Sequence, residues 1–334
     1  MSAILVTGAN GEIGQALIRH IHDGAPEKPI ITLDLKPPVD AIAPLITNAL
    51  IGDVTDPQVC EAAAHAHRVD TIFHLAALLS TRCEQDPELC HHVNVEGTLN
   101  MLRLAHTLGS AYGRVTFVFP SSIAVYGLPA GRNISAPVRE DEYLAPTTMY
   151  GINKLYCEHL GRYYSHYYHQ EADACVDFRA LRFPGIISAQ TLPTGGTTDY
   201  ASEMIHAAVQ GQPYAAFVHE QTRLPFMMMP DAVRALLMLA QSPAERLTRT
   251  AYNVNSFAIS AAEIAALVRE QFDASQVSFA PNPVRQRIVD SWPNDLDDST
   301  ARADWGWSPA FDLKTAFSDY LIPGICAHYG VSSD

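Results

Sequence analysis

The stretch TGANGEIG, Thr7 to Gly14, decides how the chain begins to fold. An apolar run, AILVT (3–7), precedes it, and QALIRHI (15–21) follows with its apolar residues at helical spacing, which places the glycines in a strand-to-helix turn. Gly8, Gly11 and Gly14 let the backbone turn tightly and approach a group held at the helix N-terminus. Unpaired N–H groups and the positive end of the helix dipole meet there, a setting that suits a pyrophosphate. A bare strand-to-helix turn would carry similar glycines; the position between a strand and an amphipathic helix is what favours a dinucleotide.

The pattern repeats outward from this turn. IITLD (30–34) is rich in β-branched residues, Ala49 to Ile51 runs into the turn GDVTD, and TIFHLAA (71–77) precedes a long helical pattern from about Pro87 to Leu108. VTFVFPSS (115–122), a helix from Tyr150 to His169 and VDFRALRF (176–183) follow. Strand and helix alternating in this way predict a doubly wound α/β fold of the Rossmann type, a parallel sheet covered on both faces. Residues 1–185 are expected to form the dinucleotide-binding domain. Beyond Gly185, helices are separated by longer, Pro-rich connections (190–196 and 280–292), which predicts a smaller C-terminal substrate-binding domain over 186–330, folded over the sheet's C-terminal edge.

Asp34 closes the second strand twenty residues past Gly14, where a carboxylate accepts both ribose hydroxyls of an adenosine and repels a 2′-phosphate. NAD rather than NADP is expected. Lys36 works against this and Pro37 and Pro38 turn the chain away; Asp53 and Val54, after the third strand, are expected beside the adenine.

Composition narrows the partners. The 334 residues are 48% hydrophobic, enough for one large domain or a main domain with a smaller companion. A net charge of −14 disfavours nucleic acid and anionic membrane surfaces, both of which call for clustered Lys and Arg. With no run of about 18 apolar residues and a first segment, MSAILVTG, that enters a strand pattern at once, a cytoplasmic protein is expected. The six cysteines form no CxxC pair and are expected as reduced thiols; the fourteen histidines lack HExxH spacing, and no metal site is expected.

MYGINK (149–154) places Tyr150 and Lys154 at i and i+4, on one helical face. A neighbouring ammonium favours the phenolate, as a tyrosine acting as general base requires. With Ser122 at the end of an apolar strand and the glycine loop upstream, the pair becomes a strong signal.

The sequence here resembles the extended short-chain dehydrogenase/reductases, whose TGxxGxxG, strand-end Asp, Ser and YxxxK occur in that order. TGANGEIG, Asp34, FPSSIAVYG and YGINK match. The resemblance implies that Ser122, rather than Ser121, polarises the substrate oxygen, that Tyr150 is the base, and that Lys154 assists it and holds the nicotinamide ribose. It extends the NAD contacts to Asn10, Glu12 and Ile13 in the glycine loop, and to Leu75, Ala76, Ala77, Asn94 and Phe183.

Four further stretches are similar to one branch, the short-chain L-threonine 3-dehydrogenases: HLAALLS (74–80), RFPGIIS with GGTTDYA (182–201), TRLPFMMMPDAVRA (222–235) and DSWPNDLDDSTARADWGWSP (290–309). By that resemblance GGTTDY closes over an amino acid. The backbone N–H groups of Gly195 and Gly196 with the hydroxyls of Thr197 and Thr198 are expected to bind its carboxylate as a nest, with Gly185, Ser80 and Trp292 around the pocket. Paired glycines also predict a loop that closes on binding.

Two alternatives stay open. A nucleotide-sugar epimerase or dehydratase shares the fold; Phe183–Gly185 stands where those enzymes commonly carry an Asn and Ile123 where a dehydratase carries an acid, but Arg223 sits where they meet a phosphate. A non-catalytic NAD-binding protein is the other. The segment 128–148 and TRCEQD after Ser80 depart from the threonine dehydrogenase pattern. Tyr156, Leu160, Tyr163 and Tyr167 form a stripe on the helix after Lys154; the resemblance implies a homodimer through the helices around 87–108 and 150–169, packing on the chain's own sheet being the alternative.

Overall fold

The computed structural model describes residues 2–332 except 67, 130–133, 135, 171–174 and 194–195. Its strands, in chain order, are β1 (Ala3–Thr7), β2 (Ile30–Asp34), β3 (Asn48–Ile51), β4 (Val69–His74), β5 (Val115–Ser122), β6 (Val176–Phe183), β7 (Gly185–Ile187), β8 (Tyr214–Ala216), β9 (Arg223–Met228), β10 (Ala251–Asn253), β11 (Phe257–Ser260) and β12 (Val277–Phe279). The helices that matter below are α1 (Glu12–Gly24), α2 (Pro57–Ala66), α3 (Ser80–Gln85), α4 (Pro87–His91), α5 (Gly97–Tyr112), α6 (Met149–His166), α7 (Tyr200–Val209), α8 (Met229–Gln241), α9 (Ala261–Gln271) and α10 (Pro283–Val289).

Seven strands pair in parallel in the order β10-β6-β5-β4-β1-β2-β3. The order reverses between β1 and β4, and ligands of such sheets bind at the carboxyl ends beside that reversal. Both faces are buried because successive side chains alternate across the sheet. Ile4, Val6, Val118 and Leu181 pack with Leu17 and Ile18 of α1 and Val233 and Leu236 of α8. Leu5, Phe117, Phe119 and Phe178 pack on the opposite face with Leu102, Ala105 and Leu108 of α5 and Tyr164 of α6. These runs lack the apolar–polar alternation of a half-solvated strand, which is why each reads as a continuous hydrophobic segment.

Not all of the chain beyond residue 185 lies outside the main sheet. After the first excursion through β7, the chain returns: α8 packs on α1, and β10 adds a seventh strand beside β6, with Ala251, Tyr252 and Asn253 in register with Ala180, Leu181 and Arg182. Three residues are too few for a periodicity to be visible, and only tertiary pairing makes AYN a strand. The small sheets β11-β9-β7 and β12-β8, with α7, α9 and α10, form the second unit, whose own core includes Tyr200, Met204, Phe226, Ile264, Val289 and Trp292.

The long helix expected from Pro87 is interrupted. A π-turn over His92–Glu96 separates α4 from α5. The extra residue per turn rotates Asn94 inward, as π-bulges at functional sites commonly do.

Candidate active site

The glycine turn is built as its spacing implies. Gly8 has φ +66°, and a Cβ there would stand 2.7 Å from the Ala76 nitrogen; both conformation and room exclude a side chain. Gly11 is the exposed N-cap of α1, and no side chain caps that helix. The Gly11 N–H turns back to the Gly8 carbonyl at 3.1 Å, which leaves the backbone donors of Glu12, Ile13 and Gly14 at the start of the helix for an acceptor such as a pyrophosphate. Ile13 packs partly into the core behind the turn. Glu12 faces Thr191 and Asp199, and burial raises its carboxyl above the usual range.

Asp34 sits at the expected strand end. Its Oδ2 accepts the Asn10 N–H at 2.9 Å and its Oδ1 the Lys36 N–H at 3.3 Å. Asn10 in turn donates to the carbonyls of Lys36 and Pro37 (3.2 and 3.0 Å) and accepts from Val39 (3.0 Å). Asn10 thus fixes the shape of the ribose end, binding the glycine turn to the segment after β2. Asp53 caps the Thr55 N–H at 2.9 Å, and Val54 beside it is buried.

His74, which sequence reasoning passed over, locks the switch point. Its ring bridges Thr7 Oγ1 (2.8 Å) and Thr98 Oγ1 (3.1 Å), while Thr7 Oγ1 accepts the Ala76 N–H at 3.1 Å. Complete burial and the nearby Lys154 push the imidazole down to about 3, so it stays neutral. Leu75, Ala76 and Ala77 follow, half-buried, at the carboxyl end of β4. Asn94 lies one step deeper than the resemblance implies: it accepts the Leu78 N–H (2.7 Å) and donates to the Leu78 carbonyl (3.0 Å). Its amide shapes the segment that borders the site. Phe183, buried, ends β6 on the far side.

Ser121 and Ser122 are separated by the alternation of β5. Ser121 is buried and donates to Glu158 Oε1 at 2.5 Å; Glu158 is held by Arg182 through two bonds of 2.9 and 2.6 Å. Ser122 points to the site, where its hydroxyl is close enough to Tyr150 to act on the phenol and caps the following turn by accepting the Ala124 N–H at 3.1 Å. Tyr150 comes this close because Gly151 does: a Cβ on Gly151 would lie 2.0 Å from the Ala124 carbonyl oxygen. Thr148 caps α6 by accepting from Gly151 (3.1 Å), and Glu84, within the divergent TRCEQD, accepts the Met149 N–H at 2.8 Å.

Lys154 is buried one turn along α6, its Nζ 5.5 Å from the Tyr150 ring centroid and donating to the Pro120 carbonyl at 2.7 Å. Burial drives the tyrosine up to about 12, against the pull of the nearby Ser122 hydroxyl, and drives the lysine down to about 8. The i, i+4 pair is formed, but Lys154 is turned to the strand's carbonyl.

On the opposite side of the site, Ser80 Oγ and Thr197 Oγ1 are 2.9 Å apart, both buried, although 117 residues separate them. Thr198 lies beside Gly185. Of the nest expected at Gly195 and Gly196, Gly195 lies outside the described residues, and the Gly196 N–H donates to Asp199 Oδ2 at 2.6 Å. Trp292 is buried with its Nε1–H unpaired. A buried donor left in this way costs about 1–3 kcal/mol. Arg223 faces elsewhere, pairing with Glu263 at 2.9 Å and donating to the Ala258 carbonyl at 2.6 Å on the β9–β11 edge.

One cysteine expectation fails. Cys83 and Cys90, on α3 and α4, form a disulfide with Cα atoms 4.9 Å apart; Cys60, Cys157, Cys175 and Cys326 are free. The Asp86–Pro87 turn folds the two short helices onto each other, a proximity that a spacing of seven residues does not announce.

A glycine turn with a bare helix N-terminus, a strand-end carboxylate and a Ser–Tyr–Lys set at the carboxyl ends of a 3-2-1-4-5-6 sheet define a dinucleotide-dependent oxidoreductase of the short-chain type. Residues 4–255 match the model of the NAD dependent epimerase/dehydratase family, and the chain belongs to that family. It is 36% identical to the mitochondrial L-threonine 3-dehydrogenase of Bos taurus over 95% of this chain and 81% of that protein. Among solved structures it is similar to L-threonine 3-dehydrogenase from Trypanosoma brucei (TM-score 0.89, 34% identity, all of both chains). L-threonine dehydrogenase from Clostridium difficile is similar as well (TM-score 0.88, 35% identity, 99% of both).

Proposed function

We propose that this protein oxidises the 3-hydroxyl of L-threonine, giving 2-amino-3-oxobutanoate and NADH. The observation that carries the chemistry is the approach of Ser122 to the Tyr150 phenol, with the Lys154 Nζ 5.5 Å from the Tyr150 ring centroid. The glycine turn with Gly8, Gly11 and Gly14, together with Asp34, would hold NAD, which would supply the hydride acceptor for C3. Ser122 holds the substrate oxygen and Tyr150 removes its proton. Lys154 supplies the positive charge that this step needs once its ammonium turns from the Pro120 carbonyl towards the phenol. The hydroxyls of the Ser80–Thr197 pair and of Thr198 suit a small polar acid better than a nucleotide sugar, and Arg223, engaged with Glu263, is not offered to a phosphate.

The reading extends to a cytoplasmic homodimer. Ile152, Tyr156, Tyr163 and Tyr167 are exposed along α6, each more than two-fifths accessible, and present an apolar stripe suited to an isologous contact. No described helix is long and apolar enough to cross a membrane.

The test is NADH absorbance with purified protein, NAD and L-threonine, beside L-serine, D-threonine and a UDP-hexose. Sustained NADH with L-threonine is expected, and Tyr150→Phe should lower kcat at least ~100-fold while KM for NAD is kept. Because burial raises the Tyr150 phenol, kcat/KM should climb as pH rises above neutrality, a limb that the Phe variant loses. Turnover confined to the UDP-hexose, with NAD retained on the protein, would overturn the reading.

A further inference from the structure

The turn 196–199 is gripped from outside as well as from within. Asp199 takes its N–H; Arg285, from α10, donates Nη2 to the Gly196 carbonyl at 2.5 Å. The guanidinium lies flat on Phe217, its Cζ 3.2 Å from the ring centroid, and is close enough to Tyr214 to act on it electrostatically together with Asp199. A charged donor makes this bond stronger than a neutral one, and the aromatic platform fixes its direction.

The helix that carries Arg285 is itself anchored at both ends. Asn282 Oδ1 accepts the N–H groups of Val284 and Arg285 (3.0 and 3.1 Å), and the buried Gln286 accepts from His219 (2.7 Å) and donates to Asp290 (2.6 Å). Beyond its C-terminus Ser291 accepts from Thr147 Oγ1 (3.1 Å), next to the residue that caps α6, and Trp292 follows. One short helix thus spans from the substrate loop to the cap of the helix bearing Tyr150.

We propose that Arg285 is a positioning residue for substrate binding: its grip on the Gly196 carbonyl, backed by Phe217, holds the 196–199 turn so that Thr197 meets Ser80 over the pocket. The inference rests on the L-threonine reading of that pocket. A glycine-containing loop that is ordered beforehand spares the substrate the entropy of ordering it, so the effect belongs in substrate affinity and not in the chemical step.

Hydrogen exchange by mass spectrometry and steady-state kinetics test it together, on wild type, Arg285→Ala and Arg285→Lys. In the Ala variant without ligands, amides of 197–203 should exchange about tenfold faster with the rest of the chain unchanged. Its KM for L-threonine should rise about tenfold or more, with kcat within about threefold and KM for NAD unaltered. Lysine keeps the charge but not the planar fork, so partial recovery of both readouts is expected. Unchanged exchange in the loop overturns the grip; faster exchange with unchanged KM overturns the positioning role; faster exchange throughout the chain, or a loss in kcat alone, also overturns it. If wild type does not oxidise L-threonine, the substrate reading fails, and exchange alone still decides whether Arg285 holds the loop.

Discussion

Ser121 and Ser122 are adjacent in sequence and point to opposite sides of β5. The first completes a buried carboxylate whose other partner is Arg182; the second meets Tyr150. Their alanine variants should therefore separate stability from catalysis. Ser121→Ala removes a bond to a buried charge and should cost about 2 kcal/mol in urea unfolding with kcat within a few-fold of wild type. Ser122→Ala should cost ~100-fold or more in kcat and little stability. Reversal of the two phenotypes would place the working hydroxyl on Ser121. That Ser122 precedes IAVYG was legible in the sequence. The partner that occupies Ser121 was not, because Glu158 is 37 residues away on another element.

At the scale of elements, α3 and α4 form the wall that carries Ser80. The disulfide ties them together, and Asn94 Nδ2 lies 3.6 and 3.4 Å from the sulfurs of Cys83 and Cys90 while its amide holds Leu78. Thiol titration of the unfolded protein should find the four free cysteines without reductant and two more after treatment with a dithiol. For so short a loop, loss of the crosslink should lower unfolding stability by about 2 kcal/mol. Six titratable thiols before reduction would contradict the pairing. The TRCEQD segment supplies both Cys83 and the Glu84 carboxylate that accepts the Met149 N–H at the start of α6, the helix that bears Tyr150.

At the scale of the whole molecule, the stripe on α6 leaves Tyr156 53% exposed beside Ile152 at 49%, whereas Leu160 packs partly into the core. Light scattering is expected to give twice the 36.5 kDa of one chain, and Tyr156→Glu with Tyr163→Glu should shift the mass to one chain. A wild-type mass of 36.5 kDa at micromolar concentration would remove the dimer from the reading. The sequence by itself determined the parallel sheet, the cofactor turn and the order Ser122, Tyr150, Lys154. Those features are local, because strand runs, glycine spacing and an i, i+4 pair are written in consecutive residues. Only the tertiary structure decided that β10 returns to the sheet, that Thr197 meets Ser80, that Asp199 takes the Gly196 N–H, and that Cys83 meets Cys90. Each depends on where distant or separately folded segments come to rest, and on which partner reaches a polar group first once water is excluded; neither is encoded in spacing along the chain.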